Sequence, residues 1–353
     1  MVKLLVISAL LITGVLTSIF FFVQNKQIKP LIEGELKPPD IIENTAVSTP
    51  TPFPFEELTI PYLRNRSYSS SIGNLELVSE NSEYSSFLTN YTSDGLKINA
   101  LLTIPNKDSG QARMTDKWPA VIFVHGYIVP AQYKTLVNYA SFIDFMARDL
   151  VVFKIDLRGH GDSQGEPTGA YYSSDYVIDI LNAYSALETL DFVNKEKIGL
   201  WGHSMGGNVV MRAFAAKPEI PKVVIWAGAV YSYTDFQEFG ISDSSYRPPQ
   251  LSSERVRKRE ELFNTYGQPV AGSDFWAKVA PTTYLNDLEG QLEIHHAIDD
   301  NVVGIGYSRN LMSLLDSTSV YHKLYEYKIG GHNLTGSSFT QAMQRTADFL
   351  KSH

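Results

Sequence analysis

The sequence predicts an α/β fold, with a mostly parallel sheet and helices on both of its faces. Short apolar or alternating runs, which favour strands, alternate along the chain with stretches of helical periodicity. Strands that alternate with helices pair in parallel, because each helix carries the chain back across the sheet. A second observation is "GLWGHSMGGNVV" at 199–210, where a strand-like run passes into a helical one through a serine between glycines. We find no internal repeat at a fixed period.

The predicted elements begin with a hairpin over 85–105 that turns near Asp94-Gly95. Further strand-like runs occur at 120–126, 150–156, 197–202, 222–228, 292–297 and 321–327, and helical patterns at 132–148, 174–193, 205–217 and 305–316. One long interval interrupts this alternation. We interpret its residues, 229–288, as a small cap insertion over one end of the sheet, with a helix at 253–265; a decorated surface loop is the alternative.

The N-terminal segment differs from the rest of the chain. Residues 4–23 carry no charge and are long enough to cross a bilayer as a helix. A small-residue cleavage site does not follow them, which favours a membrane anchor at 1–26 over a cleaved signal peptide. Residues 27–65 are rich in proline and predict a tether, followed by the main domain at 66–353. The flanking lysines do not fix the orientation; the tether composition favours an extracytoplasmic domain.

Composition excludes several classes of site. Of the 353 residues, 44% are hydrophobic and 19% charged, which suits a large buried core. The net charge of −8 argues against a nucleic-acid surface. There are no cysteines, so disulfides, thiolate zinc sites and cysteine nucleophiles are excluded. The sequence implies no metal and no cofactor, and it leaves the oligomeric state open.

Ser204 is the candidate nucleophile. A serine hydroxyl must stand clear of its own backbone to meet a substrate, and a sharp strand-to-helix turn achieves this. Such a turn crowds the residues two before and two after the serine, and Gly202 and Gly206 occupy those positions. The helix that starts at Met205 directs its N-terminal amides at the site.

The base and the acid should follow later in the chain, each on a loop after a strand. His332 lies in "KIGGHNLTG", and Asp299 and Asp300 lie in "LEIHHAIDDNVV". His295 and His296 fall within a strand-like run and are expected to be wall residues, since adjacent strand residues face opposite sides.

The candidate oxyanion donors are two backbone amides. One belongs to Met205, the residue after the candidate nucleophile. The other belongs to Tyr127, in the glycine-containing loop "HGY" after an earlier strand.

Taken together, these motifs make the sequence similar to the α/β-hydrolase family, in the branch of serine peptidases and esterases that includes prolyl oligopeptidase and acylaminoacyl-peptidase. The matching pieces include "HGY" (125–127), "DLRGHGDSQG" (156–165), "GHSMGG" (202–207), "HHAIDDNVV" (295–303) and "GGHN" (330–333). The resemblance implies an α/β-hydrolase fold with a mostly parallel eight-stranded sheet. The propeller that precedes the catalytic domain of oligopeptidases has no counterpart in the residues before 85.

The family's acid loop reads His-Gly-x-x-Asp-x-x-Val. Laid over this sequence with His295 first, it puts His296 in place of the glycine and selects Asp299 as the acid. The expected activity is that of a serine hydrolase, an esterase or a serine peptidase, which cleaves a small-molecule ester, amide or peptide through Ser204, Asp299 and His332. A non-catalytic binding protein on the same scaffold is the alternative.

Overall fold

One nine-stranded sheet runs through the residues that the computed structural model describes, which are 53–106, 117–242 and 252–352. In chain order its strands are β1 (Glu76–Glu80), β2 (Tyr84–Ser93), β3 (Leu96–Pro105), β4 (Trp118–Val124), β5 (Val151–Ile155), β6 (Val193–His203), β7 (Lys222–Trp226), β8 (Gln291–Ala297) and β9 (His322–Tyr327). Their spatial order is β1-β2-β3-β5-β4-β6-β7-β8-β9. Strands β1, β2, β3 and β5 pair antiparallel with one another, and all pairings from β5 through β4 to β9 are parallel.

The mostly parallel sheet is confirmed, and the predicted strand number of eight is one too low. The additional strand is β1, at the antiparallel edge. None of its residues is buried, so it lacks the alternation by which the other strands were identified.

The hairpin between β2 and β3 forms where the sequence predicted it. Asp94 and Gly95 connect the strands with positive φ angles of 51° and 76°. Aspartate and glycine tolerate this left-handed region better than other residues, which fixes the turn and the register of ten residue pairs.

Helices cover both faces of the sheet. They are α1 (Ile60–Asn65), α2 (Ala140–Met146), α3 (Asp175–Leu187), α4 (Met205–Ala216), α5 (Asp235–Phe239), α6 (Ser253–Tyr266), α7 (Asp274–Val279), α8 (Gly306–Leu315) and α9 (Ser337–Lys351). Single 3-10 turns occur at Glu56–Leu58 and Pro130–Gln132, and a longer 3-10 segment with a kink at Tyr284 spans Pro281–Asp287. Alternate residues of β4 face opposite sides of the sheet and belong to two different apolar clusters. Ile122 and Val124 pack with α3 and α4, whereas Val121 and Phe123 pack with α2 and α9.

The packed unit begins earlier than the predicted boundary at residue 66. Its described part starts at Phe53, and Ile60 and Leu63 of α1 are completely buried although the sequence placed them in the tether. The side chain of Arg212 on α4 explains part of this attachment, because it donates a hydrogen bond of 2.8 Å to the Leu58 carbonyl. Proline-rich composition did not reveal these contacts.

The predicted anchor at 1–26, and the tether up to residue 52, lie outside the described residues. Within the part of the chain that the structure describes, no helix combines the length and the hydropathy required to span a bilayer.

Candidate active site

Ser204 lies in the sharp turn between β6 and α4. Its φ of 54° and ψ of −119° are strained for a residue with a side chain, and α4 begins at the next residue. A Cβ atom on Gly202 would collide with the Gly206 carbonyl oxygen, and a Cβ on Gly206 would lie 2.6 Å from the Val124 carbonyl oxygen. Both glycines are therefore required by close backbone contacts, and the serine is left partly exposed at the end of the sheet.

His332 is paired with an aspartate from the loop after β8. Its Nδ1 atom lies 2.8 Å from Oδ2 of Asp300, whose side chain is completely buried. A carboxylate oxygen only accepts, so the proton of the His332 ring is on Nδ1 and Nε2 is left as the basic atom. This pairing corrects the sequence prediction, which chose Asp299 as the partner of His332.

Asp299 instead supports the backbone of the histidine loop. Its Oδ1 atom accepts hydrogen bonds from the amides of Gly330 at 2.9 Å and Gly331 at 2.8 Å. The family spacing also fits one residue further along, with His296 first, Ala297 in place of glycine, Asp300 as the acid and Val303 last. Alanine replaces glycine more readily than histidine does, and that was the signal for the correct register.

The Asp300 carboxylate is shared between two imidazoles, which sequence reasoning missed. His296, on β8, places Nε2 3.2 Å from Oδ2 of Asp300 and 2.8 Å from the Val303 carbonyl, while Ser308 bonds its Nδ1. The Val303 amide donates to Oδ1 of the same carboxylate. Burial raises the pKa of Asp300, but the hydrogen bonds from His296 and His332 outweigh it and hold that pKa well below its usual range. The carboxyl group is therefore ionised at neutral pH.

His203 joins the loop after β4 to the histidine loop. The Gly126 amide donates to the Tyr139 hydroxyl at 2.9 Å, and the hydroxyl lies 2.7 Å from Nδ1 of His203. On the other side of the ring, Nε2 donates to the His332 carbonyl at 3.0 Å. Burial, with a smaller effect of His332, lowers the pKa of His203 to about 3. The ring is neutral, so its two nitrogens are one acceptor and one donor, as this chain of hydrogen bonds requires.

A cavity of about 1430 Å³ opens in front of Ser204. The remaining sequence-predicted residues Tyr127, Met205 and His332 also line it. Within the described residues, the Ser204 hydroxyl makes no hydrogen bond to the His332 ring, although that ring contacts the neighbouring His203 ring at a centroid distance of 4.7 Å. Catalytic hydrogen bonds are often long in ligand-free structures and shorten when substrate binds.

The cavity wall contains several aromatic side chains and includes the cap. Among its apolar members are Tyr127, Tyr171, Tyr172, Val230, Phe236, Ile241, Leu262, Val302 and Phe339, and its charged cap members are Arg255, Lys258 and Arg259. The cap residues come from 229–242, α5 and α6, where α6 corresponds to the predicted helix at 253–265. No cluster of three potential metal ligands occurs among residues 53–106, 117–242 and 252–352.

Comparison with known proteins agrees with this geometry. The family model described as serine aminopeptidase, S33, matches residues 116–247, which carry the loop after β4 and the Ser204 turn. A putative esterase/lipase of Haemophilus influenzae is 28% identical over 142 residues, 40% of this chain and 44% of that protein. A thiohydrolase of Arthrinium phaeospermum is 26% identical over 117 residues, 33% of this chain and 37% of that protein. The matched region thus spans less than half the length of these curated relatives.

Solved structures share the fold over a larger part of the chain. Acetyl xylan esterase 1 from Thermoanaerobacterium superposes with a TM-score of 0.60 at 17% identity, over 85% of this chain and 95% of that one. A puromycin-hydrolyzing peptidase of Mycobacterium tuberculosis gives a TM-score of 0.59 at 16% identity, over 77% of this chain and 40% of that one. The acylaminoacyl peptidase of Pyrococcus horikoshii gives a TM-score of 0.56 at 17% identity, over 77% of this chain and 41% of that one.

The sheet order, the strained serine turn and the family match lead to the same classification. The expected α/β-hydrolase fold is confirmed by the sheet and by the solved structures, and residues 116–247 match the serine aminopeptidase S33 family model.

Proposed function

We propose that the protein hydrolyses carboxylic esters through an acyl-enzyme intermediate, with Ser204 as nucleophile, His332 as general base and Asp300 as the acid that orients it. The hydrogen bond of 2.8 Å between Asp300 and Nδ1 of His332 carries this assignment. It fixes the tautomer in which Nε2 of His332 can take the Ser204 proton.

The reaction follows from this arrangement. Oγ of Ser204 attacks the ester carbonyl carbon while Nε2 of His332 accepts its proton, and the ionised Asp300 stabilises the resulting imidazolium. The imidazolium then protonates the departing alkoxide. Water, deprotonated by the same nitrogen, cleaves the acyl-serine bond and restores the enzyme.

We assign the oxyanion to the backbone amides of Met205 and Tyr127, as the sequence suggested. Met205 is the first residue of α4, so its amide adds to the positive end of the helix dipole. Tyr127 follows Gly126, whose own amide is bonded to Tyr139. Both residues line the cavity beside Ser204, which supports the assignment.

The charges of the described cavity wall favour neutral or anionic substrates over those with a free amine. Asp175, one of its carboxylates, already pairs with Arg158 and Arg255. The cap adds Lys258 and Arg259 to the same wall. A peptide with a protonated N-terminus would meet mainly positive charge, so we propose esters as the principal substrates and aminoacyl amides as the alternative.

The test combines a covalent probe with a substrate panel. The full chain should react with a fluorophosphonate probe, because only an activated serine attacks the phosphorus, and Ser204→Ala should not react. The same variant should lower kcat on nitrophenyl esters by about 10⁵-fold. A wild-type protein that neither labels nor cleaves any ester or amide would overturn the proposal, and faster cleavage of aminoacyl amides than of esters would replace esterase by peptidase.

We also propose that residues 1–26 anchor the enzyme to a membrane, with the catalytic domain on the extracytoplasmic side. The support is the uncharged run at 4–23. Full-length protein should stay in the membrane fraction after alkaline carbonate washing and should be digested by protease added outside intact cells. Release by carbonate, or protection from the protease, would contradict the anchor or its orientation, respectively.

A further inference from the structure

One face of the cap helix α6 supplies positive charge to the cavity. Arg255, Lys258, Arg259 and Leu262 all line it, and their spacing of three, four and seven residues puts them on the same side of the helix. The charged part of this face lies in the first half of the helix and the apolar part follows it.

Two of these three cations already have carboxylate partners. Nε of Arg255 lies 3.1 Å from Glu166, and its Nη1 lies 3.4 Å from Asp175. Lys258 lies 3.5 Å from Glu254 on the adjacent turn of its own helix.

Arg259 is the cation that differs. Within the described residues its guanidinium makes no ion pair, and its Cζ atom lies 4.7 Å from the centre of the Tyr172 ring and 5.6 Å from that of Phe263. An arginine stacked on an aromatic ring keeps its N–H edge for a planar anion such as a carboxylate.

The aromatic platform under Arg259 is itself held in place. The Tyr172 ring has edge contacts with Phe263 at 5.1 Å, with Trp276 at 6.1 Å and with Tyr233 at 6.4 Å between centroids. The guanidinium therefore rests on a packed surface, and less conformational entropy is lost when it binds a ligand.

The size and charge of the cavity indicate which part of a substrate would contact Arg259. Its volume of about 1430 Å³ exceeds the ~300–1,000 Å³ of ordinary small-molecule sites, so it has room for a substrate that extends beyond the reacting ester group. The described part of the wall carries two carboxylates, Glu57 and Asp175, against the three cations of α6. This excess of positive charge suits a substrate that carries an anionic group at the end away from the ester.

Building on the proposed ester hydrolysis, we propose that Arg259 binds a carboxylate of the substrate, away from the scissile bond. The substrate class is then an ester with an apolar or aromatic body and one anionic end group. Arg259 is a specificity-determining residue and takes no part in bond cleavage.

The experiment uses two matched pairs of esters with the full-length protein. The first pair varies the acyl part. One member is the mono-nitrophenyl ester of octanedioic acid, which has a free carboxylate, and the other is the same compound with that carboxylate converted to a methyl ester. In the second pair the leaving group is 4-hydroxybenzoate or its methyl ester. We expect wild type to prefer the anionic member of at least one pair by about tenfold in kcat/KM, in line with a charged hydrogen bond.

Variants on the same helix provide the control. Arg259→Gln should remove the preference and Arg259→Glu should reverse it, whereas Arg257→Gln, an exposed position that does not line the cavity, should keep it. A salt concentration of about 0.5 M should weaken the preference in wild type, since the charges are partly exposed.

Two results would overturn the inference: no anion preference in either pair, or a preference that Arg259→Gln leaves intact. Both leave ester hydrolysis itself standing, because the neutral esters and the fluorophosphonate reaction measure that activity separately.

Discussion

The catalytic loops and the cap wall face the same cavity but are held by different forces. The loops that carry the proposed catalytic residues, called the catalytic loops here, are residues 125–127, 203–206, 299–303 and 330–333. They depend on hydrogen bonds to buried groups: the Asp300 side chain is 0% exposed and His203 is 3% exposed. The cap wall, residues 229–242 and 252–288, packs buried aromatic rings such as Tyr233 and Trp276 beneath an outer layer of charged side chains. Lys258 and Glu254 of that layer are 65% and 63% exposed.

Because of this difference, substitutions in the catalytic loops should affect the reaction itself, whereas substitutions in the cap wall should affect the choice of substrate. Buried hydrogen bonds lose their partners completely when one is removed, so changes in the catalytic loops should be costly. Exposed ion pairs exchange readily with water, so changes in the cap wall should alter substrate preference with little effect on stability.

The largest effect should come from Asp300→Asn, which removes the charge that stabilises protonated His332 and disfavours the required tautomer. We expect kcat to fall about 10⁴-fold. Asp299→Asn is the matched control, because its amide oxygen still accepts from Gly330 and Gly331, and should cost about tenfold or less. Steady-state kinetics on one nitrophenyl ester compares the two. Equal losses, or a larger loss at position 299, would contradict the assignment.

A second test is acid stability, which should reflect the buried neutral histidines. Burial lowers the pKa of His203 to about 3, and burial together with Arg345 lowers that of His295 to about 3. Because these folded-state values lie below the unfolded value of about 6.5, the stability they contribute is present above pH 6.5 and is lost as the pH falls toward 3. Each should reduce the free energy of unfolding by about 2 kcal/mol between pH 7 and pH 5.

Urea unfolding at the two pH values measures this loss. His295→Gln should remove only the share of this histidine, about 2 kcal/mol, since Gln does not titrate. His203, His125 and His160, whose pKa values burial also lowers, remain. A pH dependence that is the same in His295→Gln as in wild type would show that this histidine is not held neutral.

A smaller effect should follow from Tyr139→Phe, which keeps the ring and removes the hydroxyl between Gly126 and His203. We expect kcat to fall about tenfold while KM changes little, since the loops that carry the reacting groups lose their connection. Tyr91→Phe removes another buried hydroxyl, bonded to the Asp179 carbonyl and remote from the cavity wall. This control should lower stability by about 1 kcal/mol and leave kcat unchanged. Equal kcat values for Tyr139→Phe and Tyr91→Phe would show that the hydrogen bonds from Gly126 through Tyr139 to His203 do not support catalysis.

The smallest effect should come from Arg255→Gln, which breaks the ion pairs with Glu166 and Asp175. All three side chains are partly or largely exposed, so the free energy of unfolding should fall by about 0.5 kcal/mol, and less in high salt. Thermal unfolding with and without 0.5 M salt provides the measurement. A loss above about 2 kcal/mol would mean that the cap is held as firmly as the catalytic loops.

Sequence reasoning succeeded where a local pattern has a local physical cause. Strand and helix periods predicted the sheet, and the crowding expected in a strand-to-helix turn predicted the need for Gly202 and Gly206. It failed where two neighbours are chemically alike. Asp299 and Asp300 differ only in which side of their loop they face, and that depends on the path of the chain after Ala297. The contribution of His296 also required the fold, because Ser308 and Val303 come from separate segments.

Gly206 has a consequence for how this enzyme could acquire new substrates. Because the atom that excludes a side chain there is the Val124 carbonyl of β4, the attacking alcohol and the neighbouring strand behave as one rigid piece. Evolution or engineering has almost no freedom to reposition the reacting group itself. New specificities are therefore expected to arise from substitutions in the cap wall, above all at the positions along α6.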